Sequence, residues 1–377
     1  MSVIRGRATY IWLSGRNTHH DIRGKDRTVQ LSAEELSLTP AELLEAGKFP
    51  EWNFDGSSTE QAKGLDTEIL VRPVRAFLSS LPQYTENVPW YVVLCECFLP
   101  SGEPTPDNTR YLARSVFAQG GADVQQPWYG MEQEYVLTRN NWPLGWPTNG
   151  YPGPQGPYYC GFGPKAAFGR KYAERHYELA LKMGLKLSGI NAEVMPGQWE
   201  FQVGPCEGLE AGDHMTVARW LYLRVLELEG DAELDVDYTA KPVRGDWNGS
   251  GMHTNFSTAA TRAENGLEAI HACIKNLSGS VRRDIPAYGQ DNNLRLTGIH
   301  ETSRYDQFSF GVGTRGTSIR IPNQVKADGR GYFEDRRPAG DADPYLVSAR
   351  LFASATGVTN AALEAYCEAH RLPWMNF

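Results

Sequence analysis

Two acidic residues lie on either side of a turn in the segment Asn191–Val203. The dipeptide Pro196-Gly197 separates two β-like runs, which predicts a β-hairpin. A loop of two or four residues centred there places Glu193 directly opposite Glu200 on one face, whereas a loop of three residues breaks that alignment. Two carboxylates about 4 Å apart repel by roughly 4 kcal/mol at an effective dielectric constant near 20, and a favourable cross-strand pair contributes only about 0.2–1 kcal/mol. The pair is therefore expected either to hold a cation or to point into water.

Three further β-like runs carry side chains that could complete a metal site. Glu132 and Glu134 are two residues apart and so point to one side of a strand, and apolar and aromatic residues flank them. The other two runs contribute His253 and Glu334. Five carboxylates with a single histidine form an oxygen-dominated ligand set, which favours Mg²⁺ or Mn²⁺ over zinc or copper. Solvated edge charges are the alternative interpretation of these acids.

Arginines form the second group of candidate site residues. They occur in glycine-containing segments and beside the acidic runs, at Arg295, Arg315, Arg320 and Arg336. Arginine binds carboxylate and phosphate with two parallel hydrogen bonds, and neighbouring glycines let the backbone approach a ligand. Acidic metal ligands beside such arginines indicate phosphoryl transfer to an acidic acceptor. The segment Gly161–Gly169 matches neither the P-loop nor the dinucleotide-binding glycine pattern, which disfavours both of those folds.

The elements that must position these residues can be read from periodicity and capping signals. The predicted strands of the first hundred residues are Ala8–Leu13, Thr28–Leu31, Glu68–Pro73 and Trp90–Leu99. Ser32 and Thr39 are typical helix-starting residues, and Thr39 is followed by Pro40. The turn-rich stretch Pro100–Pro106 marks a domain boundary. Apolar stripes predict later helices over Lys165–Met183, Asp213–Glu229 and Asn265–Ser278, and the histidines they carry are expected to be structural.

Composition restricts the class of protein. The chain has 377 residues, 37 Lys+Arg and 45 Asp+Glu, a formal charge of −8 and a pI near 5.6. This balance offers no general attraction for nucleic acid, and no apolar run reaches the roughly 20 residues that cross a bilayer. Six cysteines are too few for a disulfide scaffold, and Cys95 and Cys97 are expected to pack in the core. A soluble, cytoplasmic chain of about two domains is expected, with no nucleic-acid or membrane partner.

At this point the motifs resemble those of eukaryotic-type (class II) glutamine synthetase. The similarity runs in order from about residue 10 to residue 345. The blocks that carry it are Glu51–Thr59, Gly130–Tyr135, Pro154–Gly161, Asn191–Pro205, Gly245–Ser257, Arg295–Glu301 and Gly331–Pro338. The resemblance implies an α+β chain, with an N-terminal β-grasp domain over residues 1–103 and a catalytic domain of curved antiparallel strands and helices over residues 104–377. It also implies a homo-oligomer of two stacked rings, usually pentameric, with active sites between subunits.

The resemblance further implies the reaction, in which ATP phosphorylates the γ-carboxylate of L-glutamate and ammonia then displaces the phosphate. Two or three Mg²⁺ or Mn²⁺ ions per site would be held by Glu134, Glu193 and Glu200 on the acceptor side, and by Glu132, His253 and Glu334 on the ATP side. Substrate binding would fall to Tyr159, Asn248, Gly249, Arg295, Arg315 and Arg336, and ATP binding to Ser257, Arg315, Arg320 and Tyr332. Arg315 and Arg336 would also act in catalysis, with Asp55 as the proton acceptor from ammonium and Glu301 as the acid that covers the acyl phosphate.

Two alternatives remain beside the ammonia-using enzyme. A related ligase would pass the same acyl phosphate to an organic amine, and a non-catalytic relative would have a structural or sensing role. Asp55 and Glu301 favour ammonium, because two carboxylates attract a small cation, and retention of all six metal positions counts against a non-catalytic chain. The sequence departs from the family pattern at Ser14, where an acid is common, and at Gly313-Thr314, which replaces a frequent Ala-Asn.

Overall fold

A computed structural model describes residues 3–15, 21–83, 88–147 and 149–377. The chain is of the α+β class, and its described residues form two β-sheets with helices packed around the second. No helix among these residues is both long and apolar enough to cross a membrane.

The first sheet has five strands in the order β2-β1-β5-β4-β3 within the described residues. Its strands are β1 (Ile4–Leu13), β2 (Ile22–Leu31), β3 (Trp52–Asp55), β4 (Glu68–Leu78) and β5 (Trp90–Phe98). β1 pairs with β5 in parallel, and the other neighbours are antiparallel. The four predicted strands are confirmed, but β1 begins four residues earlier than predicted, β4 ends five residues later, and β2 begins six residues earlier. β2 is an edge strand whose alternate residues are exposed, and its first half is rich in charged residues. These residues weaken the hydrophobic pattern by which a strand is predicted.

The second sheet is larger, and β6 lies near its centre. In the described chain it has nine strands, of which seven follow the order β12-β13-β14-β11-β6-β9-β8, while β7 and β10 also pair with β6. Its strands are β6 (Trp128–Arg139), β7 (Trp142–Pro143), β8 (Leu187–Ala192), β9 (Gln198–Glu207), β10 (Leu234–Asp237), β11 (Met252–Ser257), β12 (Phe310–Val312), β13 (Ile319–Ile321) and β14 (Phe333–Asp335). This order places the strands that carry the predicted metal ligands side by side.

Helices lie mainly between and after the strands of the second sheet. Their bounds are α1 (Pro40–Glu45), α2 (Thr109–Gln119), α3 (Ala122–Gln125), α4 (Arg170–Met183), α5 (Leu209–Leu228), α6 (Ala259–Arg262), α7 (Gly266–Ser278), α8 (Val281–Asp284), α9 (Asn292–Arg295), α10 (Asn323–Asp328), α11 (Pro344–Thr356) and α12 (Ala361–Ala369). Thr39 caps α1 in a reciprocal capping box, as its sequence predicts. Short 3₁₀ turns occupy Glu35–Ser37, Gly56–Thr59, Ile285–Ala287 and Pro373–Met375.

Two predicted helix starts are wrong. α4 begins at Arg170 rather than Lys165, because Gly169 has a left-handed backbone (φ 85°) and separates the helix from the preceding turns. α5 begins four residues before Asp213, so this residue lies inside the helix instead of capping it. Asp213 is fully buried and accepts two hydrogen bonds from Arg110, at 2.7 and 3.0 Å. A partner distant in sequence therefore binds this carboxylate in place of the helix amides.

One hydrophobic core joins the second sheet to α2, α4, α5, α7 and α11, and it includes Ile11, Trp90 and Val92 from the first sheet. A separate cluster on the first sheet contains Cys95 and Cys97, both buried as predicted. The two sheets thus share core contacts. A domain boundary at residue 103 would fall between β5 and α2, and it stays a prediction.

Candidate active site

An open cavity of about 320 Å³ lies against the second sheet, and its wall is polar and highly charged. Most of the predicted site residues line this cavity. They are Glu132, Glu134, Glu193, Glu200, His253, Tyr159, Asn248, Gly249, Arg295, Glu301, Arg315, Arg320 and Arg336. The sheet order brings these residues together from segments more than 180 residues apart in the sequence.

One group of candidate metal ligands, here called the β11 trio, consists of Glu132, His253 and Glu334. These residues come from β6, β11 and β14, and their ligand atoms all lie within 4.8 Å of one another. Glu132 is paired directly with His253 across the β6–β11 ladder. His253 Nδ1 lies 3.5 Å from a Glu132 oxygen and 3.4 Å from a Glu334 oxygen. Glu334 is fully buried, so a carboxylate contributes to the site from beneath the cavity wall.

A second group, the β9 trio, consists of Glu134, Glu193 and Glu200. Its ligand atoms also lie within 4.8 Å of one another. Glu134 of β6 is paired directly with Glu200 of β9. Glu193 accepts hydrogen bonds from Asn191 Nδ2 at 3.0 Å and from the Val194 amide at 3.1 Å. These bonds fix one carboxylate at the edge of the cavity, while the ladder fixes the other two.

The predicted register of the hairpin is wrong by two residues. Asn191, and not Glu193, lies opposite Glu200, because the connection between the paired residues Ala192 and Trp199 is centred one residue before the expected Pro196-Gly197 turn. A shift of two residues preserves the alternation of side chains, so Glu193 stays on the same side of the sheet as Glu200. The acid directly opposite Glu200 is Glu134, on the other neighbouring strand. The crowding of acids is therefore real, but a third strand contributes to it.

Burial disfavours the ionised forms of acids in both trios. It raises the pKa of Glu193 to about 8, with the charge of Glu134 as the next cause. Burial likewise raises the pKa of Glu200 well above its usual value, and Glu132, Glu134 and Glu193 add to the effect. Burial lowers the pKa of His253 well below its usual value. Without a cation, these buried carboxylates cannot all be ionised at neutral pH. A bound divalent cation would stabilise their ionised forms, so the arrangement favours metal binding.

Arg336 links the β11 trio to the loops that cover the cavity. Its Nη1 donates to Glu334 at 2.8 Å, its Nε to the Arg315 carbonyl at 2.9 Å, and its Nη2 to the Glu301 carbonyl at 3.3 Å. The side chains of Arg315 and Glu301 form an ion pair at 3.2 Å. One buried guanidinium thus fixes the backbone of both residues, while their side chains remain half exposed at the mouth of the cavity.

Two other arginines approach the β11 trio from different sides. Arg320 Nε lies 2.5 Å from a Glu334 oxygen, although its neighbours Ile319 and Ile321 are fully buried in the core. Arg295 is buried, and its Nη2 lies 2.9 Å from His253 Nε2. Burial lowers the pKa of Arg295 to about 10, so it remains a cation at neutral pH. The cavity therefore presents cationic and acidic groups to the same ligand.

Besides Glu334, which lies beneath the cavity wall, the structure leaves three predicted residues outside that wall. Asp55 lies at the end of β3 in the first sheet, where it is exposed and accepts a hydrogen bond from the Ser57 amide at 3.0 Å. Ser257 is buried and accepts from Arg262 at 2.8 Å. Tyr332 is half exposed beside the β11 trio, and burial followed by the charge of Glu132 raises its pKa.

Sequence reasoning missed several residues of the cavity wall, namely Asn191, Val194, Gln202, His300 and Thr302. The first three belong to the hairpin, and the alternation along it could have identified Asn191 and Gln202 as neighbours of the acids. His300 directly precedes Glu301, but nothing in its spacing indicates a contact. Thr302 has no distinctive local signal either.

Clustered acids and arginines around an open cavity define an enzyme that handles anionic substrates with divalent cations, built on an α+β fold. The family described as glutamine synthetase, catalytic domain, matches residues 107–282. The chain is 46% identical to glutamine synthetase root isozyme 3 of Zea mays over 346 residues, which cover 91% of this chain and 92% of the relative. It is 47% identical over 360 residues to the chloroplastic glutamine synthetase of Oryza sativa subsp. japonica, covering 95% and 79% of the two chains. Cytosolic isozyme 1-3 of Arabidopsis thaliana is 45% identical over 91% of this chain and 92% of its own. The chain belongs to the glutamine synthetase family.

Proposed function

We propose that this cavity is the place where the chain, an ATP-dependent glutamate–ammonia ligase, makes glutamine. The reaction proceeds in two steps. The γ-carboxylate of glutamate attacks the terminal phosphorus of ATP, the bond to the bridging oxygen breaks, and ADP leaves. Ammonia then attacks the acyl carbon of γ-glutamyl phosphate, phosphate leaves, and glutamine forms. The observation that carries the proposal is the pair of largely buried ligand trios beside four arginines in one cavity.

The β9 trio and the β11 trio fit divalent cations. Their five carboxylates and one histidine form a hard, oxygen-rich donor set, which suits Mg²⁺ or Mn²⁺. We assign Glu134, Glu193 and Glu200 to the acceptor side and Glu132, His253 and Glu334 to the ATP side, with two or three ions per site. Such ions supply charge neutralisation on the phosphates and on the acceptor carboxylate when they are bound.

The arginines position anionic groups. Arg295, Arg315 and Arg336 are assigned to the carboxylates of glutamate and to the transferring phosphoryl group, and Arg320 to the nucleotide phosphates. Arg336 acts as a fixed positive charge, because it is hydrogen-bonded on all three of its nitrogens. Tyr159, Asn248 and Gly249 line the cavity near its mouth and are assigned to the amino-acid end of glutamate. Ser257 and Tyr332 are assigned to the nucleotide from the margin of the β11 trio.

Two acids are assigned to the second step. Glu301 lies over the cavity mouth and would exclude water from the acyl phosphate, which hydrolyses easily. Asp55 would accept a proton from ammonium. Asp55 is exposed on the first sheet and does not line the cavity of its own chain, so it would act in the cavity of a neighbouring copy. This supports a homo-oligomer, for which two stacked pentameric rings are proposed.

We place the enzyme in the cytoplasm. Relatives named as cytosolic isozymes support this location, although a chloroplastic relative is similarly close in identity. L-Glutamate, ATP and ammonium are the proposed partners. Nucleic acid and membranes are not proposed as partners.

The proposal is tested by measuring phosphate release and amide formation with ATP, Mg²⁺ and glutamate, comparing ammonium with a panel of organic amines. Glutamine formation that is fastest with ammonium supports the proposal. Faster turnover with a larger amine would instead make the chain a γ-glutamyl-amide ligase. No turnover with any amine would indicate a non-catalytic relative.

A further inference from the structure

Three irregular segments surround the mouth of the cavity, and each carries a residue of its wall. Residues 153–160 carry Tyr159, residues 244–250 carry Asn248, and residues 297–303 carry Glu301. Because these residues belong to no helix or strand, sheet pairing does not set their positions relative to one another. Hydrogen bonds to neighbouring elements and side-chain contacts between the three segments do so.

A chain of polar contacts joins the three segments. Gln155 Oε1 accepts a hydrogen bond from the Asn248 amide at 3.0 Å, and Gln155 Nε2 lies 3.1 Å from His300 Nδ1. Since only Oε1 can accept from an amide N–H, Nε2 must face His300 and donate to it. A neutral ring that accepts at Nδ1 carries its proton on Nε2. That nitrogen lies 2.8 Å from Asp246 Oδ1 but makes no aligned hydrogen bond with it, so the chain of contacts rests on Gln155.

The backbone at His300 needs such support. His300 and Glu301 are consecutive non-glycine residues with left-handed backbones, at φ 54° and 59°. Conformations of this kind persist where surrounding contacts hold them, and they cluster at functional sites. Arg336 holds the Glu301 carbonyl at 3.3 Å, and Gln155 holds the His300 ring at Nδ1, at 3.1 Å.

The base of the segment is fixed independently of its tip. The Tyr305 amide donates to the Leu296 carbonyl at 3.0 Å, which closes the loop. Leu296 is buried in a cluster with Met375, and the Tyr305 ring packs edge-on against Trp374 at 5.4 Å between centroids. Loss of the His300 contacts would therefore free the tip, with Glu301, without unfolding the base.

We propose that His300 is a positioning residue: with Gln155, it ties the tip that bears Glu301 to the segment that bears Asn248, and so holds the Glu301 carboxylate over the reacting centre. The inference rests on the proposed function. Without this tie, Glu301 would leave its place for part of the time and water would reach the acyl phosphate. Phosphate would then be released without glutamine being formed.

The test measures phosphate and glutamine in the same reaction of the full chain with ATP, Mg²⁺, glutamate and ammonium. The wild type should give a ratio near one. We expect His300→Ala to raise the uncoupled phosphate, meaning the excess of phosphate over glutamine, about threefold to tenfold, the change in population that corresponds to one lost hydrogen bond. Gln155→Met, which keeps the length of the side chain and removes its polar groups, should act in the same way. His300→Asn should restore most of the coupling, because its Oδ1 can accept from Gln155.

Controls separate this role from general damage. His271→Ala removes an exposed histidine on α7 and should leave the ratio near one. The double variant His300→Ala/Gln155→Met should show a ratio no higher than the larger single effect, because both changes break one tie. An excess of phosphate over glutamine that stays at the wild-type level in both single variants, even with slower turnover, would overturn the inference alone, and so would multiplied effects in the double variant. Gln155→Met keeps the test decisive if His300→Ala fails to fold. A wild type that makes no glutamine would overturn the proposed function and this inference together.

Discussion

Glu200→Gln removes one negative charge from the β9 trio and keeps the size of the side chain. The ligand atoms of the trio lie within 4.8 Å of one another. At that separation and an effective dielectric constant of 20, two ionised carboxylates repel by about 3.5 kcal/mol. Glu200 faces two such partners, Glu134 and Glu193. The substitution should therefore stabilise the metal-free protein at pH 8 by as much as several kcal/mol, because the folded wild type must either ionise Glu200 against these partners or keep it protonated at a pH well above its usual pKa.

The same substitution should weaken metal binding. Loss of a residue that only supports a metal ligand costs about 10- to 100-fold in affinity, so loss of a ligand should raise the Mg²⁺ concentration for half-maximal activity by at least about 100-fold. Opposite changes in stability and in metal affinity are the signature of carboxylates held together by a cation. A residue important only for folding would change both in the same direction.

The assay combines two measurements on wild type and Glu200→Gln. Urea denaturation with a chelator at pH 8 gives the stability of the metal-free protein, and a Mg²⁺ titration of glutamine synthesis gives the metal requirement. Glu207→Gln is the matched control, because Glu207 is exposed at the far end of the same strand. An unchanged Mg²⁺ dependence would remove Glu200 from the site. A metal-free variant less stable than the wild type would refute the repulsion argument.

Three further predictions follow from the structure. Asp55→Ala should reduce ammonia-dependent glutamine formation more than it reduces glutamyl phosphate formation. Positional isotope exchange in ATP measures the formation of glutamyl phosphate without ammonia. Equal losses in both reactions would contradict the role of Asp55 as proton acceptor. Burial raises the pKa of Glu193 to about 8 and raises the pKa of Glu200 well above its usual value. The folded, metal-free chain therefore binds protons more tightly than the unfolded chain. Its free energy of unfolding should fall as the pH rises from about 5 to 8. Mg²⁺ should abolish that decline in urea denaturation, and a stability that rises with pH over this range would be the wrong sign. Arg337→Met should lower the free energy of unfolding by about 3–5 kcal/mol, because it leaves Asp284 and Asp335 buried without their partner, whereas the exposed Arg282→Met should change it by less than about 0.5 kcal/mol.

Local patterns in the sequence predicted the parts of the fold that local chemistry decides. Thr39 caps its helix because a hydroxyl at that position satisfies an amide three residues on. Glu132 and Glu134 face the same side because strand geometry alternates regardless of context. The side of the hairpin occupied by Glu193 was likewise predictable, since the register error was an even number of residues.

What the sequence could not give depends on contacts between distant segments. The length of the loop before β9 is set partly by packing: the Gly197 carbonyl accepts from the Leu137 amide of β6 at 2.8 Å, and no local signal encodes that bond. The start of α5 was misplaced for a similar reason, because the buried partners of Asp213 lie about a hundred residues away. The contacts of His300 with Gln155 and Asp246 also join segments that are separate in the sequence.

The central claim is that the crowded acids of this cavity hold divalent cations, and anomalous diffraction from crystals grown with Mn²⁺ tests it most directly. The account predicts at least two anomalous peaks per chain, one bound by Glu134, Glu193 and Glu200 and one by Glu132, His253 and Glu334, with the first peak lost or weakened in Glu200→Gln crystals. Well-ordered carboxylates with no anomalous peak between them at saturating Mn²⁺ would contradict it.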